Sequence, residues 1–322
     1  YIEMAMQALH SLTGERQGKV LDLHLQKALY VPENDVKPVQ LTFDSDSARF
    51  TVATKANASG ERVVHATGYL QVAPVLRGHE PLIIAAVQAR SSKSFDRPGC
   101  YSTLAEMGYH YGPAFQPITG VWLGDGEALA RIEPSPLLGE AAGNHHFHPA
   151  LLDACFQAIL ATEIPQYQAG AVAAMRLPLG IAEIATRVVG SQTIWAHVQI
   201  TQRDEDTIIG DIHVYAEQGT YLGSVKGFRA GNVDKVASKV GRRGGRLDGR
   251  LERRPTLGLL LRGGLLLRCE RAEARRAERP SGGVERRGHP APCAISAFAA
   301  SCCVSGDTCG SAATCRHRSA TD

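Results

Sequence analysis

Two short blocks of this chain contain residues whose types and spacing suit acid–base chemistry. The later block runs from His148 to Gln157 and reads His-Pro-Ala-Leu-Leu-Asp-Ala-Cys-Phe-Gln. It predicts the start of a helix, because Pro149 is tolerated in a first turn and apolar residues follow at helical spacing. Asp153 and Gln157 are four residues apart, so they lie on one face of that helix. A carboxylate beside an amide on an otherwise apolar helix has three explanations. The pair lies on a solvent-exposed face, or it is a buried hydrogen-bonded structural pair, or its carboxyl group transfers protons.

The earlier block, residues 107–116, reads Met-Gly-Tyr-His-Tyr-Gly-Pro-Ala-Phe-Gln. Its glycines and proline predict a turn that leads into an apolar strand containing Ile118, Val121 and Trp122. The two blocks are separated by about thirty residues that carry a further strand pattern at Leu129 to Ile132.

Together the blocks resemble the dehydratase domain of modular and iterative polyketide synthases. The family pattern G-Y-x-Y-G-P-x-F is complete here in Gly108, Tyr109, Tyr111, Gly112, Pro113 and Phe115. The pattern H-P-x-x-L-D-x-x-x-Q is complete in His148, Pro149, Leu152, Asp153 and Gln157. Both patterns occur in the family's order and at about its spacing, and the resemblance covers roughly residues 1–231.

The resemblance implies an enzyme that removes water from a β-hydroxyacyl chain and leaves an α,β-unsaturated thioester. Asp153 would be the general acid, Gln157 would orient its carboxyl group, and Tyr111 would lie at the same cleft. Further residues would line the substrate site: Tyr109, Gly112, Pro113, Phe115, His148, Leu177 and Pro178. The acyl chain would be carried on the phosphopantetheine of an acyl carrier protein, and the domain itself would need no cofactor or metal. Expected partners are the carrier protein and other synthase domains, and homodimers are common in the family.

The family's general base is a histidine in an H-x-x-x-G-x-x-x-x-P block that precedes the helix with which this chain begins. That block is absent from the sequence. We therefore expect an N-terminally truncated domain with half of the catalytic pair, since acid and base act on one transition state. Two alternatives stay open: an inactive synthase fragment with a structural role, and a product-template domain that guides cyclisation with a similar His/Asp pair.

The hydrophobic pattern predicts α+β architecture with antiparallel sheet, in which a helix followed by a meander of strands occurs twice. The resemblance identifies this as a double hot-dog, two sheets that each wrap a helix. We expect a truncated first hot-dog at 1–75, a linker at 76–100 and a second hot-dog at 101–231. Within the linker, Ile83 to Val87 is either a short strand or a segment that a neighbouring domain covers.

Residues 232–322 differ in composition from the rest of the chain. Residues 234–322 hold 18 Lys and Arg against 9 Asp and Glu, a net charge of +9, which leaves −6 for residues 1–233. This Arg-, Gly- and Cys-rich tail predicts disorder, because it offers too little apolar surface to offset chain entropy. We hypothesise that the tail is an out-of-frame reading of GC-rich coding sequence.

The sequence argues against a disulfide-bonded, metal-binding, nucleic-acid-binding or membrane-spanning protein. Six of the eight cysteines lie in the tail and only Cys100 and Cys155 in the body, which fits a reduced, cytoplasmic protein. Adjacent histidines at 145, 146 and 148 lack accompanying ligands at a standard metal-binding spacing. The basic tail lacks the interleaved aromatic residues typical of nucleic-acid binding, and no apolar run is long enough to span a membrane.

Overall fold

The computed structural model describes residues 1–31, 36–55, 62–73, 80–138, 145–171 and 175–232, together with the backbone of 264–269 and 294–300. Most of the tail, for which the sequence predicted disorder, lies outside these residues. The statements below refer to the described residues.

The first half is one helix followed by four strands. Helix α1 (Ile2–Thr13) buries Met4, Met6 and Leu9, and it ends at Gly14, whose φ of 76° is left-handed backbone that favours glycine. The strands are β1 (Gly18–Leu25), β2 (Val39–Asp44), β3 (Arg49–Lys55) and β4 (Arg62–Val72). A helix followed by a meander of strands is the order that the hydrophobic pattern predicted.

Residues 80–106 are more regular than their sequence suggested. They form α2 (Ile84–Arg90), β5 (Lys93–Asp96) and α3 (Arg97–Glu106). The predicted strand at Ile83 to Val87 is wrong, because this short apolar run lies in α2 and buries Val87 against aromatic residues of the sheet. Helix α3 begins at Asp96, whose carboxylate accepts a hydrogen bond from the Gly99 N–H at 2.9 Å.

The second half supplies the remaining elements of the body. A 3-10 turn (Pro113–Phe115) leads to β6 (Ile118–Leu123) and β7 (Glu127–Ile132), and a second 3-10 turn spans Pro136–Leu138. Helices α4 (Pro149–Ala161) and α5 (Ile164–Gln168) follow. The last strands of the body are β8 (Arg176–Thr186), β9 (Ile194–Arg203), β10 (Thr207–Ala216) and β11 (Tyr221–Asn232).

All of these strands join one antiparallel sheet, which also includes β12 (Gly264–Cys269) and β13 (Ala294–Ala300) from the tail. The strand order is β12-β13-β2-β3-β4-β1-β8-β11-β10-β9-β7-β6-β5. The pairing of β1 with β8, in which Val20 lies opposite Ile184, joins the two halves edge to edge. Each half wraps one helix: α1 packs on β1 and β4, and α4 packs on β6, β7 and β9. This is a double hot-dog, as the sequence predicted.

The core lies between the helices and the concave faces of the sheet. Helix α4 buries ten of its thirteen residues, including Leu151, Cys155 and Ile159, so its position is fixed by packing on nearly all sides. None of the described helices combines the length and the apolar character needed to cross a membrane.

Candidate active site

The start of α4 is fixed by a histidine cap. The His148 Nδ1 accepts a hydrogen bond from the Ala150 N–H at 3.1 Å, and Pro149 occupies the first turn. Burial, with a further contribution from the neighbouring His145, lowers the pKa of His148 to about 4. The imidazole is therefore neutral at pH 7, and because Nδ1 accepts the Ala150 N–H, its single ring proton lies on Nε2.

The predicted carboxylate–amide pair forms on α4. The Gln157 Nε2 donates to Asp153 Oδ2 at 2.8 Å and also to the Phe115 carbonyl at 3.0 Å. The Gln157 side chain is 1% exposed, so these bonds replace water that the amide has lost. The pair thus connects α4 to the turn formed by the first sequence block.

A third partner, Tyr101 of α3, sets which way the Gln157 amide faces. The Ile118 N–H donates to the Tyr101 hydroxyl oxygen at 3.1 Å, and the hydroxyl donates its single proton to Gln157 Oε1 at 2.8 Å. With Oε1 occupied as an acceptor, only the N–H₂ end of Gln157 is available to Asp153. The bonds therefore form a directed chain from a backbone amide to the carboxyl group.

The pKa of Asp153 is raised by its surroundings. Burial raises it from 3.8 to about 6, against a smaller lowering by the hydrogen bond from Gln157. A carboxylate in an apolar site loses hydration, which favours the neutral acid. The group is thereby brought close to the range in which it can donate a proton near neutral pH.

The two tyrosines of the first block differ in position. Tyr109 is fully buried, and its hydroxyl oxygen accepts a hydrogen bond from the backbone N–H of Arg176 at 2.7 Å. Tyr111 is only partly buried; its ring stacks on Tyr109 and meets the edge of Tyr101, with centroids 6.5 and 6.0 Å away. Burial, followed by the charge of Asp153, raises the pKa of Tyr111 well above its usual value, so its phenol stays protonated.

The Gly112–Pro113 step needs no special backbone. Gly112 has φ −70° and ψ 163°, which any residue adopts, and a Cβ built there would meet no atom within 4 Å. Pro113 is exposed beside it. In contrast, Gly108 has φ 98° and directly follows the C-cap of α3, so the first glycine of the block is the one that the backbone requires.

Leu177 and Pro178 lie on β8, where they pair with Gly231 and Ala230 of β11. Both are partly buried, and they directly follow Arg176, which forms an ion pair with Glu163 at 3.0 Å. Gln157 therefore joins Asp153 and Phe115 directly, and Tyr111 is connected to it through Tyr101. Leu177 and Pro178 are connected to this group through Arg176 and Tyr109. The assigned roles of all these residues remain predictions.

Tyr101 is the residue of this site that sequence reasoning missed. Its helix lies across the boundary between the predicted linker and the second hot-dog, and its apolar periodicity is weak. The helix-start signal Asp96-Arg97-Pro98 was present in the sequence and would have indicated α3.

Several described histidines have structural partners. His65 bonds with Thr54 and the Lys27 carbonyl, His146 with Thr186, and His197 with Glu127. Among the described residues no group of three or more His, Cys, Asp or Glu is arranged to hold a metal ion.

Comparison with known proteins identifies the family of the chain. The family model described as polyketide synthase dehydratase N-terminal domain matches residues 80–239. The chain is 34% identical over 219 residues to polyketide synthase GfsB of Streptomyces halstedii, which covers 65% of this chain and 4% of that protein. It is 28% identical over 204 residues to mycoketide-CoA synthase of Mycobacterium tuberculosis, covering 62% of this chain and 4% of that protein.

Solved structures give the same result. The dehydratase domain from the CurF module of curacin polyketide synthase superposes with a TM-score of 0.63 at 26% identity, covering 71% of this chain and 81% of that one. The dehydratase domain of a mycocerosic acid synthase-like polyketide synthase gives a TM-score of 0.62 at 25% identity, covering 72% and 81%. The chain thus covers 4% of the length of each of these two relatives and 81% of each of these two solved dehydratase domains. It belongs to the dehydratase-domain family of polyketide synthases.

Proposed function

We propose that the site around Asp153 eliminates water from a β-hydroxyacyl thioester and yields the α,β-unsaturated thioester. One observation carries this proposal: a partly buried carboxyl group, whose apolar surroundings raise its pKa to about 6, is held by an amide whose orientation is itself fixed by Tyr101. An acid placed and tuned in this way suits protonation of a departing hydroxyl group.

In the proposed step, a base removes the α-proton and the C–H electron pair becomes the Cα=Cβ bond. The Cβ–O bond breaks, and its oxygen takes the proton of neutral Asp153 and leaves as water. Because Oδ2 accepts the bond from Gln157, the transferable proton belongs on Oδ1. The protonated Tyr111 phenol beside it would serve as a hydrogen-bond donor at the cleft.

We assign the base to the histidine that the resembled family carries upstream of its first hot-dog helix. The described histidines with structural partners do not suit this role: His148 is a helix cap with a pKa of about 4, and His65, His146 and His197 are each engaged elsewhere. This chain would then supply the acid half of the pair.

The substrate is proposed to arrive on the phosphopantetheine arm of an acyl carrier protein, within a larger synthase in the cytoplasm. Leu177, Pro178, Tyr109, Gly112, Pro113, Phe115 and His148 are retained as proposed lining or supporting residues of the acyl site. Elimination needs neither a metal nor a nucleotide. The proposal also includes a homodimer, and domain boundaries at residues 75, 100 and 231, which separate the first hot-dog, the linker, the second hot-dog and the tail.

A dehydration assay tests the proposal. This chain and a version extended upstream by the natural protein's own residues receive a β-hydroxyacyl pantetheine thioester, and the gain of enoyl absorbance is followed. We expect activity in the extended form and at least about a 100-fold loss on Asp153→Asn. The matched control is Asp125→Asn, at an exposed turn between β6 and β7, which should leave the rate unchanged. Silence of the extended form, or full activity of its Asp153→Asn variant, would refute the assignment.

A further inference from the structure

The first hot-dog helix carries a second carboxylate–amide pair with the same four-residue spacing as Asp153 and Gln157 of α4. Glu3 and Gln7 of α1 are also four residues apart, and the Gln7 Nε2 donates to Glu3 Oε1 at 2.7 Å. The corresponding bond from Gln157 to Asp153 is 2.8 Å. Both helices are the central helix of their half, so each half carries one carboxylate–amide pair on its helix.

The two carboxylates have different surroundings. Glu3 is 8% exposed, and its two oxygens accept hydrogen bonds from the backbone of the other half: Oε1 from the His146 N–H at 2.9 Å and Oε2 from the Phe147 N–H at 3.1 Å. Within the described part of the chain, Asp153 has no such backbone donor and keeps only its amide partner.

The backbone that Glu3 binds leads directly into α4. His146 and Phe147 precede His148, the N-cap of that helix. The other side of this segment is fixed too, because the His146 carbonyl accepts the Val189 N–H at 2.7 Å. Bonds from a carboxylate to backbone N–H groups are among the stronger hydrogen bonds in proteins, and without Glu3 two buried N–H groups would lose their partner.

We infer that Glu3 is a positioning residue of the dehydratase site: by binding the backbone of His146 and Phe147, it fixes where α4 begins and therefore where the Asp153 carboxyl group stands. Asp153 lies five residues beyond the cap, about 7.5 Å along a rigid helix. A shift at the cap is therefore carried to the carboxyl group. The inference rests on the proposed role of Asp153.

The protonation midpoint of Asp153 is a suitable readout, because it responds to how completely the carboxyl group is removed from water. Burial and Gln157 set its pKa, with no contribution from the charge of Glu3. The titratable groups that sense Asp153 are Tyr101, Tyr111 and Cys155, and burial raises the pKa of each. All three stay neutral between pH 4 and 8, so they do not distort the titration.

The experiment follows the ¹³Cγ signal of Asp153 against pH in the full chain labelled with ¹³C-aspartate, assigned by its loss in Asp153→Asn. Glu3→Ala removes both acceptors and Glu3→Gln keeps one. If Glu3 positions α4, the midpoint of Asp153 falls by at least about half a pH unit in Glu3→Ala, because water reaches the loosened start of α4. A smaller fall is expected in Glu3→Gln.

The control is Leu41→Ala, which makes a cavity in β2 far along the sheet from α4. It should lower the melting temperature and leave the Asp153 midpoint unchanged. Should Glu3→Ala not fold, Glu3→Gln decides. A midpoint that matches wild type in the folded Glu3 variants would show that Glu3 only adds stability and would overturn the inference. That result is independent of the dehydration assay, so failure of the inference and failure of the proposed function are distinguishable.

Discussion

Replacing Asp153 by asparagine should stabilise the fold at neutral and alkaline pH, and by less as the pH falls. The folded-state pKa is about 6 against 3.8 for the free group. Between these values the folded protein binds more protons than the unfolded chain, so the free energy of unfolding falls as pH rises through this window. At about 1.4 kcal/mol per pKa unit, burial of the ionised group costs about 3 kcal/mol above pH 6. Asparagine has nearly the same shape and does not ionise.

Denaturant unfolding, followed by fluorescence of Trp122 and Trp195, measures this effect. The variant should exceed wild type by about 1 kcal/mol at pH 4.5 and by about 3 kcal/mol at pH 8. Other groups titrate in this range too, so the informative quantity is the difference between the two proteins at each pH. Asp125→Asn, which alters an exposed carboxylate, should show no pH-dependent difference.

A constant difference between wild type and Asp153→Asn from pH 4.5 to pH 8 would refute the reasoning. It would mean that the carboxyl group keeps its ordinary pKa and that burial does not tune it. The dehydration assay on the same variant completes the argument, because a catalytic acid is expected to lose activity while the fold gains stability.

Two further predictions concern the support of the site. Tyr101→Phe leaves Gln157 Oε1 and the Ile118 N–H without the hydrogen bonds that they now make with the Tyr101 hydroxyl. It should therefore lower the free energy of unfolding, measured with denaturant, by about 2–4 kcal/mol. A change below about 0.5 kcal/mol would contradict the directed chain of bonds. Gly112→Ala should leave the melting temperature unchanged, because the added Cβ enters open space. Gly108→Ala places a Cβ at φ 98° and 3.0 Å from Met175, so it should lower the free energy of unfolding by about 1–3 kcal/mol. Equal melting temperatures for the two alanine variants would show that left-handed backbone at the end of α3 is not what the first block requires.

Helix α4 could be predicted because its signals are local. The cap at His148, the proline after it and the apolar series all lie within thirteen residues, and the structure begins and ends the helix at Pro149 and Ala161. The facing of Asp153 and Gln157 follows from helical spacing alone. The position of Asp153 and Gln157 in the candidate site therefore follows from sequence signals within α4 itself.

The joint between the two halves could not be predicted. In β1 the period of two is broken by a bulge at Asp22, whose φ is 45°, so Val20 and Leu23 are buried where alternation would not place both. In β8, Pro178 and Gly180 are residues that normally interrupt strands. The β1–β8 pairing joins segments more than 150 residues apart, which no local pattern encodes.

Tyr101 and Glu3 escaped prediction for a related reason. Each acts through a contact distant in sequence: Tyr101 on Gln157, and Glu3 on the backbone of His146. Their residue types are unremarkable where they stand, since a tyrosine or glutamate within a helix is usually a surface or packing residue. Only the folded sheet brings them to α4.

The carboxylate–amide pairs on α1 and α4 share the same spacing, yet their two carboxyl groups have different surroundings. Glu3 receives an amide and two backbone N–H donors, so both of its oxygens bind the surrounding structure and its side chain suits an anchor. Asp153 receives an amide alone in an apolar site, and its pKa rises to about 6. The difference lies in what the opposite half presents to each helix, not in the helices themselves. The raised pKa of Asp153 is therefore found where no backbone N–H binds the carboxyl group among the described residues. The N–H groups that bind Glu3 belong to His146 and Phe147, directly before α4, the helix that carries Asp153.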